Sequence, residues 1–310
     1  MSSPLTVTTT YHTDTYPAIS PTNPSLNQSG KTILITGGGS GIGFEIARSF
    51  AKASATRIVI VSRRSAVLDD SAAKLRNEFE TTEFITRQGD IGSDESITSL
   101  WEFLYSQNIF VHVLVLNAVY VSEDSSIHGN DTLSIEQAKL MKAMETNFGG
   151  NFHMSAKFVK QALRPAGQQL HLINVSTGGI HAHPVPDALY VTTKTAFTSL
   201  IGRIADERSV KDVQIISFHP GLLYSEGAAR TFHDKSLFKW DSFELPANFA
   251  VWAASPEASW LHGRFVWAHW DVTELKADLR IQKLVEGKGG YLKLGVEGLG
   301  SIDASAFLNN

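Results

Sequence analysis

The 310-residue chain contains no cysteine, which excludes disulfides, thiolate metal sites and a catalytic thiol. It also lacks an apolar run long enough to cross a bilayer and any cluster of lysine and arginine typical of a nucleic-acid surface. Residues 1–30 lack the basic start and apolar centre of a signal peptide. We therefore expect a cytoplasmic protein that binds neither nucleic acid nor membrane.

A metal site is not indicated either, because the eleven histidines form no metal-ligand pattern. His181 and His183 belong to a proline-containing loop, 181–186, which we expect to line the mouth of a substrate site. The proportions of hydrophobic and charged residues, 43% and 19%, are ordinary for a globular enzyme, and the net charge is −4.

The chain does contain a regular alternation of apolar, β-branched runs with amphipathic segments. This alternation predicts a single α/β domain with a doubly wound parallel sheet of about seven strands, whose ligand lies beyond the carboxyl ends of the strands. The predicted strands are 31–36, 57–62, 83–87, 111–116, 170–175, 213–218 and 264–268, and the predicted helices are 41–53, 71–80, 93–107, 133–163 and 188–209.

We assign residues 31–271 to this domain, residues 1–30 to an N-terminal arm and residues 272–310 to a C-terminal extension. Because the arm is rich in serine, threonine and proline, we expect it to be disordered or loosely draped over the domain. The side chains that could anchor it are Tyr11, His12 and Tyr16.

The first predicted strand runs directly into the glycine-rich turn Thr36-Gly-Gly-Gly-Ser-Gly-Ile-Gly43. Glycines let backbone N–H groups approach a pyrophosphate, and the helix that starts near Gly41 directs its positive end at the same anion. Because a strand precedes the turn and an amphipathic stretch follows it, we interpret it as a dinucleotide site rather than a flexible loop. The predicted cofactor contacts are Gly37, Ser40, Gly41, Ile42 and Gly43.

The second predicted strand ends in Ser62-Arg63-Arg64, at a place where an acidic residue would bind the ribose of NAD. A guanidinium instead matches the geometry of a phosphate, so Ser62 and Arg63 predict NADP as the cofactor. The alternative is a pair of solvated surface arginines.

Tyr190 and Lys194 are separated by one turn of a predicted helix, a rise of about 6 Å that places both side chains on one face. A phenol with its ordinary pKa of about 10 is a poor proton relay at neutral pH, and we expect the charge of Lys194 to lower that pKa. The pair is therefore the predicted catalytic centre.

Together these motifs resemble the short-chain dehydrogenase/reductase family over roughly residues 31–270. The resemblance implies a Rossmann-type fold, bound NADP(H), and hydride transfer between this cofactor and a small-molecule carbonyl or alcohol. It also implies pairing through the helices at 133–163 and 188–209 into homodimers or homotetramers.

In that family a serine thirteen positions before the tyrosine usually holds the substrate oxygen, and counting back from Tyr190 gives Thr177. One inserted residue in the intervening loop would select Ser176 instead. Alternation along a strand puts the two side chains on opposite faces, so only one of them can serve. We slightly prefer Thr177, and either residue supplies a hydroxyl.

The resemblance assigns roles to further positions. Asn147 corresponds to a helix asparagine that holds a water in the proton relay. Asn117 follows the fourth strand, where Leu116 and Val119 depart from the family's N-N-A-G pattern. The other cofactor positions implied are Asp90 and Ile91 near the adenine, and Pro220, Gly221, Leu223 and Ser225 near the nicotinamide.

These residues predict an NADP(H)-dependent reductase in which Tyr190 protonates the developing alkoxide while Lys194 and Asn147 relay replacement protons. Two alternatives remain, an enzyme derived from the family that performs epimerisation, dehydration or cyclisation, and a non-catalytic NADP-binding sensor. Retention of the proton-relay residues argues against the sensor.

Residues 222–245, which we call the substrate lid, are rich in aromatic side chains. They predict a bulky apolar or aromatic substrate rather than a small polar one. The chain also resembles short-chain reductases of filamentous fungi, some of which serve secondary metabolism. The aromatic residues of the lid are Tyr224, Phe232, Phe238, Trp240 and Phe243.

Overall fold

One sheet organises the chain in the computed structural model, which describes residues 7–122, 131–183, 187–225, 228–229, 234–287 and 289–296. Within these residues seven parallel strands lie in the order β3-β2-β1-β4-β5-β6-β7. The predicted doubly wound parallel sheet is thus confirmed. The strands are β1 (Thr32–Thr36), β2 (Arg57–Ser62), β3 (Glu83–Gln88), β4 (Val113–Leu116), β5 (Leu170–Val175), β6 (Val213–His219) and β7 (Arg264–Trp267).

Helices cover both faces of this sheet. Successive residues of a strand point to opposite faces, and all five residues of β1 are therefore buried. One face packs on α1 (Gly41–Lys52), α2 (Ser65–Glu78) and α7 (Glu244–Ala253), and the other face packs on α3 (Asp94–Ser106), α5 (Asn151–Val159) and α6 (Ala188–Asp206). The other α-helices of the described residues are α4 (Gln137–Met144), α8 (Val272–Ala277) and α9 (Leu279–Glu286). Among the described residues, no helix is both long and apolar enough to span a bilayer.

Two helix predictions were wrong in detail. Helix α2 begins at Ser65, six residues earlier than predicted, because Leu68 is buried and extends the apolar stripe by a turn. The single helix predicted over 133–163 is divided instead into α4, a π-helical segment over Glu145–Gly150, and α5. The wider segment brings Gly150 so close to Ile91 that a Cβ on Gly150 would lie 1.9 Å from the Ile91 carbonyl oxygen.

The N-terminal arm is packed on the domain over residues 7–30, so the expectation of a disordered or loosely draped segment was wrong there. Ile19 and Leu26 are fully buried against the α1 and α7 side of the core. The Tyr16 hydroxyl donates to the Trp270 carbonyl (2.9 Å) and accepts from the Val272 N–H (3.2 Å). The buried apolar side chains of the arm explain its order, because Tyr16, Ile19 and Leu26 belong to the core.

Three histidines are held neutral inside the fold, chiefly by burial. Burial lowers the pKa of His112 to about 4 and the pKa values of His171 and His219 to about 3. An unfolded histidine takes up a proton below its ordinary pKa of about 6.5, whereas these folded ones do not. The free energy of unfolding should therefore fall as the pH drops below 6.5, by about 1 kcal/mol per pH unit for each of the deeply buried His171 and His219 and by less for the half-buried His112.

His171 offers the sharpest test of this acid sensitivity, because neither of its ring nitrogens has a hydrogen-bond partner in the described part of the chain. We expect His171→Leu to match or exceed wild-type stability at pH 7 and to lose about 1 kcal/mol per pH unit of the slope. Urea unfolding at pH 7, 6 and 5 measures both effects. A variant slope equal to that of the wild type would contradict this assignment.

Candidate active site

The glycine-rich turn lies at the carboxyl end of β1 and leads into α1. A Cβ on Gly43 would lie 2.2 Å from the Gly37 carbonyl oxygen, so this close approach of strand and helix requires glycine. Gly41 has φ +54°, and a Cβ there would meet no atom within 4 Å, which leaves an open face at the first residue of α1. An open helix N-terminus of this kind fits the pyrophosphate of a dinucleotide.

Ser40 and Ile42 flank Gly41 in this turn. Ser40 is exposed and precedes α1 as its N-cap residue, but its hydroxyl makes no capping hydrogen bond to the described helix. Ile42 is half-buried and packs against the core, so any contact from Ile42 to a ligand would come from its backbone or the edge of its side chain.

Asn117 holds the turn from the neighbouring strand. Its Nδ2 donates to the carbonyl oxygens of Thr36 (3.1 Å) and Gly37 (3.3 Å), while its N–H donates to the Thr36 hydroxyl (3.0 Å). Asn117 therefore fixes the shape of the glycine-rich turn, although its neighbours Leu116 and Val119 depart from the N-N-A-G pattern.

The end of β2 lies beside the glycine turn, because a Cβ on Gly39 would be 3.5 Å from the Ser62 Cβ. Arg63 follows immediately with an exposed side chain, and its carbonyl accepts a hydrogen bond from Gln88 Nε2 (3.0 Å). The backbone of Arg63 is thus anchored, while its side chain is exposed.

Asp90 and Ile91 follow β3. The Asp90 carboxylate accepts a hydrogen bond from the Gly92 N–H (2.8 Å) and so stabilises the turn that follows β3. The same carboxylate lies 3.9 Å from Lys142 Nζ. The Ile91 side chain is buried in the core beneath α5, which leaves its backbone as the part available to an adenine ring.

The catalytic candidates converge where β5 ends and α6 begins. The Thr177 hydroxyl approaches the Tyr190 phenol closely enough to lower its pKa by hydrogen bonding. Lys194 is 4% exposed, and its Nζ donates to the carbonyl oxygen of Val175 at 2.7 Å. Asp187 caps α6 through the Tyr190 N–H (2.9 Å) and so fixes the first turn that carries the phenol.

Ser176 points the other way. Its hydroxyl is 2.7 Å from the Thr198 hydroxyl, within a buried polar group that also contains Asn174 and Ser217. Of the two hydroxyls left open by the sequence, the structure therefore brings only Thr177 to Tyr190.

The pKa of Tyr190 differs from the value expected from the sequence. Burial is the largest influence on both groups and disfavours their charged forms, raising the pKa of Tyr190 to about 12 and lowering the pKa of Lys194 to about 8. The Thr177 hydrogen bond lowers the Tyr190 pKa and the charge of Asp187 raises it, both by less than burial. The expected lowering of the tyrosine pKa by Lys194 is not found, because Lys194 is not among the groups that shift the pKa of Tyr190.

Asn147 lies in the π-helical segment and joins α6 to the segment after β4. Its Oδ1 accepts from the Tyr120 N–H (2.7 Å), and its Nδ2 donates to the Tyr120 carbonyl (2.8 Å) and the Thr193 hydroxyl (3.0 Å). The Asn147 carbonyl accepts from Asn151 Nδ2 at 2.9 Å. The side chain is thus engaged in positioning, and any water in a relay would have to use this carbonyl.

The turn after β6 contains Pro220 and Gly221, which has φ +104°. A Cβ on Gly221 would lie 2.7 Å from Asp241 Oδ2, and this carboxylate accepts from the Leu222 N–H (2.7 Å) and from His269 Nε2 (2.9 Å). Asp241 and His269 have side chains only 6% and 2% exposed. They hold the turn by a buried charged hydrogen bond that the sequence reasoning missed, since nothing in the spacing of residues 241 and 269 signals it.

The rest of this turn is locally bonded. Leu223 is 7% exposed, and its carbonyl accepts from the Ser225 N–H at 2.9 Å. The Ser225 hydroxyl accepts from the Ala228 N–H at 3.1 Å. Within the loop predicted to line the substrate mouth, residues 184–186 lie outside the described residues, as does Phe232 of the lid.

A pocket of about 660 Å³ lies between the substrate lid and the N-terminal arm. Tyr190, Lys194 and Thr177 do not line it, and its link to the site is Asp241, which also binds the Leu222 N–H. Its walls therefore join the turn after β6 to the arm. The lining residues are Thr13, Asp14, Tyr224, Lys235, Phe238, Trp240, Asp241, Ser242 and Phe243.

A family model described as short chain dehydrogenase matches residues 31–236. The chain is 34% identical over 269 residues to the short chain dehydrogenase/reductase nsrO of Aspergillus novofumigatus (strain IBT 16806), covering 86% of this chain and 89% of that protein. It is 33% identical over 289 residues to the short chain dehydrogenase/reductase AacuD of Aspergillus aculeatus (strain ATCC 16872 / CBS 172.66 / WB 5094), covering 93% and 96%.

Solved structures show the same architecture. One is the crystal structure of L-sorbose reductase from Gluconobacter frateurii complexed with NADPH and L-sorbose, which superposes with a TM-score of 0.69 at 22% identity. The superposition covers 78% of this chain and 96% of that chain. At this level of identity the likeness concerns the fold alone.

Proposed function

The chain belongs to the short-chain dehydrogenase/reductase family, and on this basis we propose that it is an NADP(H)-dependent oxidoreductase that reduces the carbonyl of a bulky apolar or aromatic small molecule. The observation that carries the proposal is the convergence of Thr177, Tyr190 and Lys194 at the carboxyl end of β5, the same edge of the sheet at which β1 leads into the open N-terminus of α1. A sensor would need the cofactor cradle but no such proton-transfer group.

In this reaction the hydride comes from the bound nicotinamide. Tyr190 donates the phenolic proton to the carbonyl oxygen as negative charge develops there. Thr177 holds the same oxygen through its hydroxyl and orients the carbonyl toward Tyr190. Lys194, held by the Val175 carbonyl, has two further N–H donors for the ribose and for the path that returns a proton to the phenol.

Cofactor binding is assigned to the loops at the carboxyl ends of the strands. The turn at Gly41 receives the pyrophosphate, and Arg63 pairs with the 2′-phosphate that distinguishes NADP from NAD. Asp90 and the Ile91 backbone border the adenine. The nicotinamide end is assigned to Asn117, Pro220, Gly221, Leu223 and Ser225.

The pKa of Tyr190 favours the reductive direction. A phenol with a pKa of about 12 keeps its proton at neutral pH and is ready to donate it, whereas oxidation of an alcohol would need the phenolate. The aromatic side chains of the lid favour a bulky apolar or aromatic substrate. The fungal relatives, Aspergillus proteins among them, fit a role in secondary metabolism.

Incubation of the protein with NADPH and a panel of aromatic ketones tests this function. We expect loss of reduced cofactor together with formation of the alcohol, and weaker turnover with NADH. Tight NADPH binding without turnover of any carbonyl compound would favour the sensor. Product formation without cofactor consumption would favour the epimerase, dehydratase or cyclase.

The assignment of the active hydroxyl makes a separate prediction. We expect Thr177→Val to lower kcat at least about tenfold, because it removes one hydrogen bond to the substrate oxygen. Ser176→Ala is the matched control, and its loss of the bond to Thr198 should lower the melting temperature with little effect on kcat. Steady-state kinetics and thermal unfolding of both variants decide the matter, and the reverse ranking of kcat would transfer the role to Ser176.

A further inference from the structure

His181 has a neutral ring, and a hydrogen bond from Trp267 determines which of its two nitrogens carries the proton. Trp267 Nε1 donates a hydrogen bond to His181 Nε2 at 3.1 Å. An indole nitrogen can only donate, so His181 Nε2 must be the unprotonated acceptor, and the ring proton of the neutral form must lie on Nδ1. Burial against this tryptophan also lowers the pKa of His181, which keeps the ring neutral at pH 7.

The ring is held in place from several sides. Trp267 is 7% exposed, and Phe265 meets His181 edge-on with centroids 5.8 Å apart. His181 ends a 3₁₀ turn over Gly178–His181 whose N-cap is Thr177, through the bond from the Gly179 N–H to the Thr177 hydroxyl (3.2 Å). The turn fixes His181 relative to Thr177, at a backbone rise on the order of 8 Å.

His181 is nevertheless exposed, unlike the tryptophan that orients it. Because Trp267 occupies Nε2, the ring offers a ligand only its Nδ1–H, and this donor can bind a ligand only through an acceptor atom such as oxygen. The five residues from Thr177 to His181 therefore offer two hydrogen-bonding side chains, the Thr177 hydroxyl and the His181 Nδ1–H.

We propose that His181 is a specificity-determining residue whose Nδ1–H binds a second oxygen of the substrate, distinct from the carbonyl oxygen that is reduced. The substrate class is then an aromatic ketone that carries a further hydroxyl or carbonyl group. This inference rests on the proposed reductase function and refines its substrate.

The test compares 1-tetralone with its ring-hydroxylated analogues in the NADPH assay. We expect wild-type protein to prefer at least one hydroxylated analogue by about tenfold in kcat/KM, chiefly through KM, as one hydrogen bond provides. His181→Phe should abolish this preference. His153→Phe is the control, because His153 lies on α5, pairs with Asp94 and should leave the preference as in the wild type.

Histidine nitrogen NMR provides a second measurement that needs no turnover. The His181 signal, identified by its absence from His181→Phe, should report the Nδ1–H tautomer at neutral pH, and Trp267→Phe should admit the Nε2–H tautomer. An Nε2–H tautomer in wild-type protein overturns the inference.

The two proposals fail in different ways. If wild-type protein turns over the ketones but His181→Phe keeps the same preference, or if no hydroxylated analogue is preferred, the His181 inference is overturned alone. If wild-type protein binds NADPH but reduces none of the ketones, the reductase function fails and the inference falls with it.

Discussion

Tyr190→Phe should lower kcat for carbonyl reduction by about 10³-fold while NADPH affinity changes little. The substitution removes only the phenolic oxygen, which carries the proton that the developing alkoxide requires. Burial raises the pKa of this phenol to about 12, so the wild-type group is fully protonated and competent at neutral pH. Single-turnover rates with saturating NADPH measure the chemical step, and fluorescence titration measures cofactor binding.

Tyr16→Phe is the matched control for this substitution. It also removes a buried phenolic oxygen, one that bonds Trp270 and Val272, but outside the catalytic group. We expect Tyr16→Phe to lower the melting temperature and leave kcat within about twofold, since the lost hydrogen bonds contribute only to stability. Equal kcat losses in the two variants, or full activity of Tyr190→Phe, would contradict the role of Tyr190 as proton donor.

Arg63→Asp should weaken NADPH binding about 100-fold and NADH binding by no more than about threefold. The variant removes a guanidinium expected to pair with the 2′-phosphate, and it adds a carboxylate that repels this group but accepts hydrogen bonds from the ribose of NAD. Arg63 is well suited to this role because its side chain is exposed beside the glycine turn while its carbonyl is anchored by Gln88.

Arg64→Asp is the control that distinguishes the effect of Arg63 on NADPH binding from that of its neighbour. It makes the same change of charge one residue further along, so a general electrostatic effect would weaken NADPH in both variants alike. We expect the large selective loss only at Arg63, measured as the ratio of NADPH to NADH dissociation constants. An equal effect of Arg63→Asp on both cofactors would exclude Arg63 from the 2′-phosphate site.

The sheet and the family could be predicted from the sequence because their signals are local. Each buried parallel strand is a short, continuous apolar run, and the strands β2 and β5 have the predicted bounds. The glycine turn is equally local, since the close contact of Gly37 with Gly43 leaves no space for a side chain. The roles of the site residues remain predictions, although the structure brings several of them together.

Other features could not be predicted because they depend on partners far along the chain. The order of the arm depends on Ile19 and Leu26 finding gaps in a core built mostly from later residues. The pair of Asp241 and His269 is formed only when the lid reaches the segment after β7. The pKa of Tyr190 follows from burial, which a one-turn spacing to Lys194 does not reveal.

The packing of the arm has a consequence for the order in which the protein is assembled. Tyr16 binds Trp270 and Val272, 254 and 256 residues downstream, and Thr10 binds Glu274 at a separation of 264. Gln28, at the end of the arm, already pairs with Ala53, but the partners of Thr10 and Tyr16 exist only after β7 has been synthesised. Docking of the first part of the arm is therefore a late, long-range closure that completes the fold.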